Sequence, residues 1–415
     1  MSRRLISCCL TAALTLSLGA ALLSLSPASR AEEQPKPQLS FRPAVEPKEL
    51  QPASLKGLSW LSEHQNPDGG WGQGEESSHM GQTAGNVAYQ SNVADTAIAC
   101  LALMRAGNTP RNGDYRESLR KGVDYICQQV EDSDADSIYV TSIKGTRVQM
   151  KLGPTIDTFL ANLTLVEIKD NMPDEAGRAR VARAVSKILR KIEKNQKSDG
   201  TWTQEGWAPV LSQSMATKSL NRAQQGGFDV KDEVLSLSQK QAEGQVNAPA
   251  AASGNAGVQL YAAGAGLTNV QDTLNTLELE EQQLKKDRDS KDEKLRRRAE
   301  DKLQRLDDAR KARQEADKTV VARLGDSSFV AGFGSNGGEE FLSYMNISES
   351  LVVKGGAEWE KWDQSMSQNL SRIQNPDGSW TGHHCITGRT FCTASALLVL
   401  TADRAPVPVA SRVGR

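Results

Sequence analysis

Apolar residues recur at three- and four-residue spacing along most of the chain, and no sustained two-residue alternation interrupts them. The pattern predicts helices near 54–65, 92–106, 114–130, 154–169, 174–195, 209–224, 255–324, 338–354, 356–373 and 389–402. The expected class is all-α, with about five helical hairpins. Three segments between these helices resemble one another: Gln65-Asn66-Pro67-Asp68-Gly69-Gly70-Trp71, Gln196-Lys197-Ser198-Asp199-Gly200-Thr201-Trp202 and Gln374-Asn375-Pro376-Asp377-Gly378-Ser379-Trp380. Their common core is Gln-x-x-Asp-Gly-x-Trp. Asp-Gly supplies a tight turn in which glycine takes positive φ, and the tryptophan can fold back onto the preceding helix. The helices after the turns align as well. In that register Asp95, Asp157 and Cys392 share one position at a helix start.

The stretch Lys56-Gly57-Leu58-Ser59-Trp60-Leu61-Ser62-Glu63-His64-Gln65 through Trp71 resembles the QW motif of squalene and oxidosqualene cyclases: basic, small, aromatic, aliphatic, then Gln and Gly-x-Trp. The copies ending at Trp202 and Trp380 keep the Gln and Gly-x-Trp part. The chain thus resembles the terpenoid cyclase and protein prenyltransferase superfamily over about 54–224 and 325–402. The resemblance implies an α/α toroid, an inner ring of helices around a central cavity with an outer ring around it. That cavity is the expected place for a small apolar ligand. The superfamily's catalytic signatures are largely missing. No Asp-x-Asp-Asp acid motif occurs; the nearest string, Asp132-Ser133-Asp134-Ala135-Asp136, falls where a turn belongs. The strict zinc motif of the prenyltransferases is absent too, and fold alone does not settle function.

One segment is chemically dense. Gly382 to Cys392 carries His383, His384, Cys385 and Cys392 at the entry to the last helix. Thiolate and imidazole ligands suit zinc. With Asp95 and Asp157, and with Glu339 and Glu340 at another helix start, these residues are the candidate metal or thiol site. Simpler readings stand beside it. Asp95 and Asp157 fit ordinary helix N-caps, the histidines fit hydrogen bonding at a helix entry, and Cys385 and Cys392 are close enough to form a disulfide.

Composition changes the picture in three places. Lysine plus arginine is 50 and aspartate plus glutamate 51, a balance that gives no case for nucleic acid binding. Met1 to Ala31 has a basic start at Arg3-Arg4, an apolar run Leu5–Leu25 and small residues at Ser29 and Ala31, the pattern of a secretory signal. A periplasmic or secreted protein is expected, membrane-anchored if the signal is uncleaved. A Pro-rich linker follows over 32–53. Finally, 278–318 holds 14 basic and 13 acidic residues, which predicts a solvated helix. The expected organisation is toroid over 54–250, an Ala/Gly-rich joint and charged coiled-coil-like insertion over 251–324, toroid again over 325–402 and a tail over 403–415. The stretch 267–324 offers a surface for a protein partner or self-association, or is a tolerated insertion. Three functions remain open: a non-catalytic binding or scaffold protein of the cell envelope, an enzyme with a zinc or thiol centre, and an isoprenoid or lipid cyclase-like enzyme.

Overall fold

A computed structural model describes residues 39–77, 83, 85–246, 258–334 and 336–410. The signal-like leader, the start of the linker and most of the Ala/Gly-rich joint lie outside them.

The helices are α1 (Pro52–Glu63), α2 (Val93–Arg105), α3 (Arg116–Asp132), α4 (Arg147–Leu152), α5 (Ile156–Ile168), α6 (Glu175–Asn195), α7 (Pro209–Gln225), α8 (Asp232–Val246), α9 (Gln259–Arg288), α10 (Glu293–Thr319), α11 (Ser327–Val330), α12 (Gly338–Lys354), α13 (Gly356–Ile373) and α14 (Arg389–Leu400). Six of them pack in a closed ring: α2 on α5, then α7, α9, α12 and α14, which returns to α2. Around them, α1, α3, α6, α8, α10 and α13 form an outer layer. The fold is an all-α toroid.

Sequence assigns each helix its layer. Outer helices are amphipathic: α3 buries Leu119, Val123, Ile126 and Val130, one stripe at helical spacing. Inner helices are buried nearly all round, so α5 is apolar or small on every face. Caps set the ends. Asn92 accepts from the Asp95 N–H at 3.0 Å to start α2, and Asp292 accepts from the Lys294 N–H at 2.9 Å to start α10.

The ring has six hairpins rather than about five. The stretch 255–324, expected as a coiled-coil-like insertion, is part of the ring. It breaks at Asp289–Asp292 into α9, the fourth inner helix, and α10, the fifth outer helix. Within 267–324, the stretch expected to offer a self-association surface, the apolar residues Val270, Leu274 and Leu277 cluster with Leu306 and Ala309 of α10. Helix α8, weakly patterned, is the outer helix absent from the sequence-based set.

The three similar turns are built alike. The glutamine side chain donates to the glycine carbonyl (Gln65 to Gly69, 2.7 Å; Gln196 to Gly200, 3.3 Å; Gln374 to Gly378, 2.8 Å). The aspartate accepts from the N–H two residues on, at 3.0 Å in each turn. The indole N–H of Trp71, Trp202 and Trp380 donates to a carbonyl ten residues earlier, Leu61, Ile192 and Leu370. Each glutamine also reaches a carbonyl at the start of the next outer helix: Ser118, Val234 and, from the last turn, Ala53. Gly378, at φ +94°, could not carry a side chain, because its Cβ would lie 2.7 Å from the Lys56 carbonyl oxygen.

Two short strands, β1 (Leu39–Arg42) and β2 (Val407–Ala410), pair antiparallel and bring the two ends of the described chain together. They sit at the mouth formed by the C-terminal ends of the inner helices. There Arg222 of α7 donates to the Pro406 carbonyl at 2.7 Å and stacks over Phe41.

Candidate functional site

The axis of the toroid is filled. Leu101, Leu160, Leu163, Leu342, Met345 and Leu398 converge on it beside Arg105, Lys218 and Glu349. The space left between them is about 10 Å³, room for about one water at most; ligand pockets run to several hundred Å³. Among the described residues, the side chains at the axis thus leave between them far less space than a small apolar ligand fills.

Towards the mouth at the C-terminal ends, buried charges close the axis. Arg105 pairs with Glu167 at 2.6 Å and Glu349 at 3.2 Å; Lys218 pairs with Glu349 at 2.8 Å and Asp272 at 3.3 Å; Arg222 pairs with Glu167 at 3.2 Å. Three cations thus meet three anions across α2, α5, α7, α9 and α12. Burial alone would raise the Glu349 carboxyl, but Lys218 and Arg105 outweigh it and hold the group down at about 2. Sequence reasoning missed this cluster. Its signal is faint: charges such as Arg105 and Glu167 late in helices that are otherwise largely apolar or small.

The opposite mouth gathers the sequence-derived candidates into two groups. In the first, Glu339 and Glu340 open α12 beside the loop before α14. His384 Nε2 lies 3.0 Å from Glu340 Oε2, while Glu340 Oε1 accepts from the Tyr261 hydroxyl at 2.6 Å and the Phe333 N–H at 3.0 Å. Burial lowers the His384 pKa, but Glu340 and Glu339 raise it by more. Glu339 accepts from the Ile386 N–H at 3.1 Å, and its other oxygen has no partner. Burial and the neighbouring Glu340 push Glu339 up to about 7. A side chain on Gly337 would meet Glu340 at 2.8 Å, so the loop closes tightly over the pair. His383 is exposed.

In the second group, Asp95 and Asp157 are buried at the starts of α2 and α5. Neither is the N-cap of its own helix. Asp95 is the third residue of α2 and accepts from the Asn92 amide at 2.7 Å. Asp157 accepts from the Ala94 N–H of the neighbouring helix at 3.0 Å and from the Gln149 amide at 2.9 Å. Burial pushes Asp95 up to about 7 and Asp157 to about 6. The threonines that follow Asp95 and Cys392 mark the register. Thr96 and Thr393 each accept, at 2.9 Å, from the backbone N–H of the tryptophan ending the preceding turn.

Among the described residues no three His, Cys, Asp or Glu side chains converge as a metal would require. Both thiols are free rather than joined in a disulfide, and both are buried. Burial, then Glu339, pushes Cys385 up to about 12, and Cys392 is raised for the same reasons. Both shifts disfavour the thiolate, the form that binds metal or attacks. Cys385 sits at φ 55°, alone among the described non-glycine residues in the left-handed region. The string Asp132 to Asp136 is not a cavity acid either. It runs from the last residue of α3 into the loop before α4, its carboxylates are exposed, and the backbone carbonyls of Asp134, Ser137 and Tyr139 enclose the Lys191 ammonium.

The turn of Gln65 to Trp71, with the tryptophan anchored on the helix before it, is the feature shared with known proteins. Residues 39–145 match the squalene-hopene cyclase C-terminal domain family. The squalene-hopene cyclase-like segment runs from β1 through α3 into the loop before α4, and so spans the first hairpin and the outer helix that its turn grips. No curated protein matches the chain. The likeness places this toroid with the terpenoid cyclase and prenyltransferase architecture.

Proposed function

We propose that the protein is an exported, non-catalytic toroid that serves as a binding or scaffold protein of the cell envelope. The observation that carries this reading is the filled axis. A polyprene substrate needs a cavity several hundred Å³ larger than the roughly 10 Å³ at the centre. The buried ion pairs that close one mouth hold five inner helices to one another, which suits a rigid support. The thiols are buried and their pKa values raised, which disfavours the thiolate a thiol enzyme would use. Export rests on the leader pattern of Arg3-Arg4, Leu5–Leu25 and Ser29-Arg30-Ala31. No helix among the described residues is long and apolar enough to cross a membrane.

The test is incubation with squalene and with farnesyl diphosphate, products being read by gas chromatography and mass spectrometry and binding by calorimetry. No product and no saturable binding is the expected result. Turnover of either compound, abolished by a substitution such as Asp95→Asn or Glu339→Gln, would overturn the reading.

A further inference from the structure

Helix α9 is much longer than its neighbours in the ring. It has 30 residues, whereas α7 and α12 on either side of it have 17 each. At about 1.5 Å per residue it is about 45 Å long and overhangs the mouth by roughly 20 Å. Its inner part, from Leu260 to Leu277, is buried; beyond that only Leu284 is. The apolar faces of α9 and α10 are consumed within the chain, so the overhang offers a partner charge rather than an apolar seam.

That charge is uneven. Over 278–318 acids and bases balance, but the tip, 285–298, does not. It has eight basic residues, Lys285, Lys286, Arg288, Lys291, Lys294, Arg296, Arg297 and Arg298, against four acids, Asp287, Asp289, Asp292 and Glu293. The acids are already engaged. Asp292 caps α10, Glu293 pairs with Arg297, Asp289 with Arg288, and Asp287 accepts from Gln283. Lys286, Lys291 and Lys294 are exposed and have no carboxylate within ion-pair distance.

We propose that this tip docks the toroid electrostatically onto an anionic lipid bilayer. The unpaired cations are all lysines, flexible point charges without the planar fork that fits one carboxylate or phosphate. They suit a diffuse layer of headgroup phosphates. Nothing apolar is exposed at the tip, so it rests on the headgroups and does not insert. The strand β1, where the described chain begins after the apolar leader, lies at the same mouth as the overhang.

The test is flotation of the full chain with vesicles of phosphatidylcholine alone or with about a third phosphatidylglycerol. Neutral vesicles set the baseline contributed by the leader. Binding above that baseline is expected on anionic vesicles at low salt and is lost at 0.5 M salt. At about 1 kcal/mol per basic residue, the triple variant Lys286→Glu, Lys291→Glu, Lys294→Glu loses at least about a hundredfold of that gain. The control Arg183→Glu, Arg190→Glu, Lys197→Glu makes the same charge change on the outer wall at α6 and keeps the gain. No gain on anionic vesicles, an equal loss in the control, or binding only to a soluble polyanion such as polyphosphate would overturn the proposal. Circular dichroism melts of both variants confirm that each is folded.

Discussion

The Gln374 side chain, in the last turn, donates to the carbonyl of Ala53, in the first helix, at 2.8 Å. The same glutamine contact that links the turn ending at Trp71 to Ser118 and the turn ending at Trp202 to Val234 here joins the end of the chain to its beginning. Loss of this contact should loosen ring closure specifically. Gln374→Ala is expected to cost about 0.5–1.5 kcal/mol, the net worth of a part-buried hydrogen bond. Hydrogen exchange should rise first at α1 and α14. Uniform loss of protection around the ring would refute a closure role.

The buried charges at the axis predict a large penalty for removing one partner. Glu349→Ala leaves Arg105 and Lys218 sharing too few anions. The expected destabilisation is about 3–5 kcal/mol in urea denaturation. A loss below about 1 kcal/mol would mean that water reaches the ion pairs.

Stability should fall as pH rises through the neutral range. Asp95, Asp157 and Glu339 have folded-state values of about 7, 6 and 7, raised by burial. Each therefore contributes stability that is complete below its unfolded value near 4 and is lost as pH climbs through 6 to 7. Glu349, held at about 2, acts in the opposite sense, and its contribution disappears only as pH drops below about 4. Denaturation midpoints should peak at about pH 4 and decline to about pH 7, levelling off above it. Asp95→Asn combined with Glu339→Gln should flatten that decline; an unchanged slope would rule these carboxyls out as its source.

The thiols make a simple prediction. Cys100, Cys127, Cys385 and Cys392 are all buried and raised, chiefly by burial. None should react with Ellman's reagent in the native protein. All four should react on unfolding. Rapid labelling of Cys385 in the native state would restore a thiol centre to consideration.

Trp380 is fully buried and its indole N–H is bonded to the Leu370 carbonyl. Trp380→Ala should cost about 3–5 kcal/mol. Gly378→Ala, strained at positive φ and crowded by Lys56, should cost at least about 1 kcal/mol. Thermal unfolding checks both.

The toroid was legible because Gln-x-x-Asp-Gly-x-Trp combines every group its turn uses: the glutamine amide, the capping carboxylate, the positive-φ glycine and the anchoring indole. Of the three hairpins without that turn, α3 with α5 was read correctly and the two that involve α8, α9 and α10 were misread. Helix α10 is so rich in charge that it looks like a free surface helix, yet its Ala299, Leu306, Ala309 and Ala316 are buried. The acid–histidine pair at Glu340 and His384 was half legible, since each residue stands at a helix entry. The charge cluster was not. Arg105 and Glu349 are 244 positions apart, and neither has a local pattern to betray its partner.

The pairing of β1 with β2, like the reach of Gln374 to Ala53, fixes the repeat number. An open solenoid can gain or lose a unit at either end and leave the others where they were. A ring cannot. Inserting or deleting one hairpin would change the angle between every neighbouring pair and pull first and last segments apart. Divergence in this chain is therefore confined to what each hairpin carries outward, as in the long overhang of α9, while the count of six stays locked.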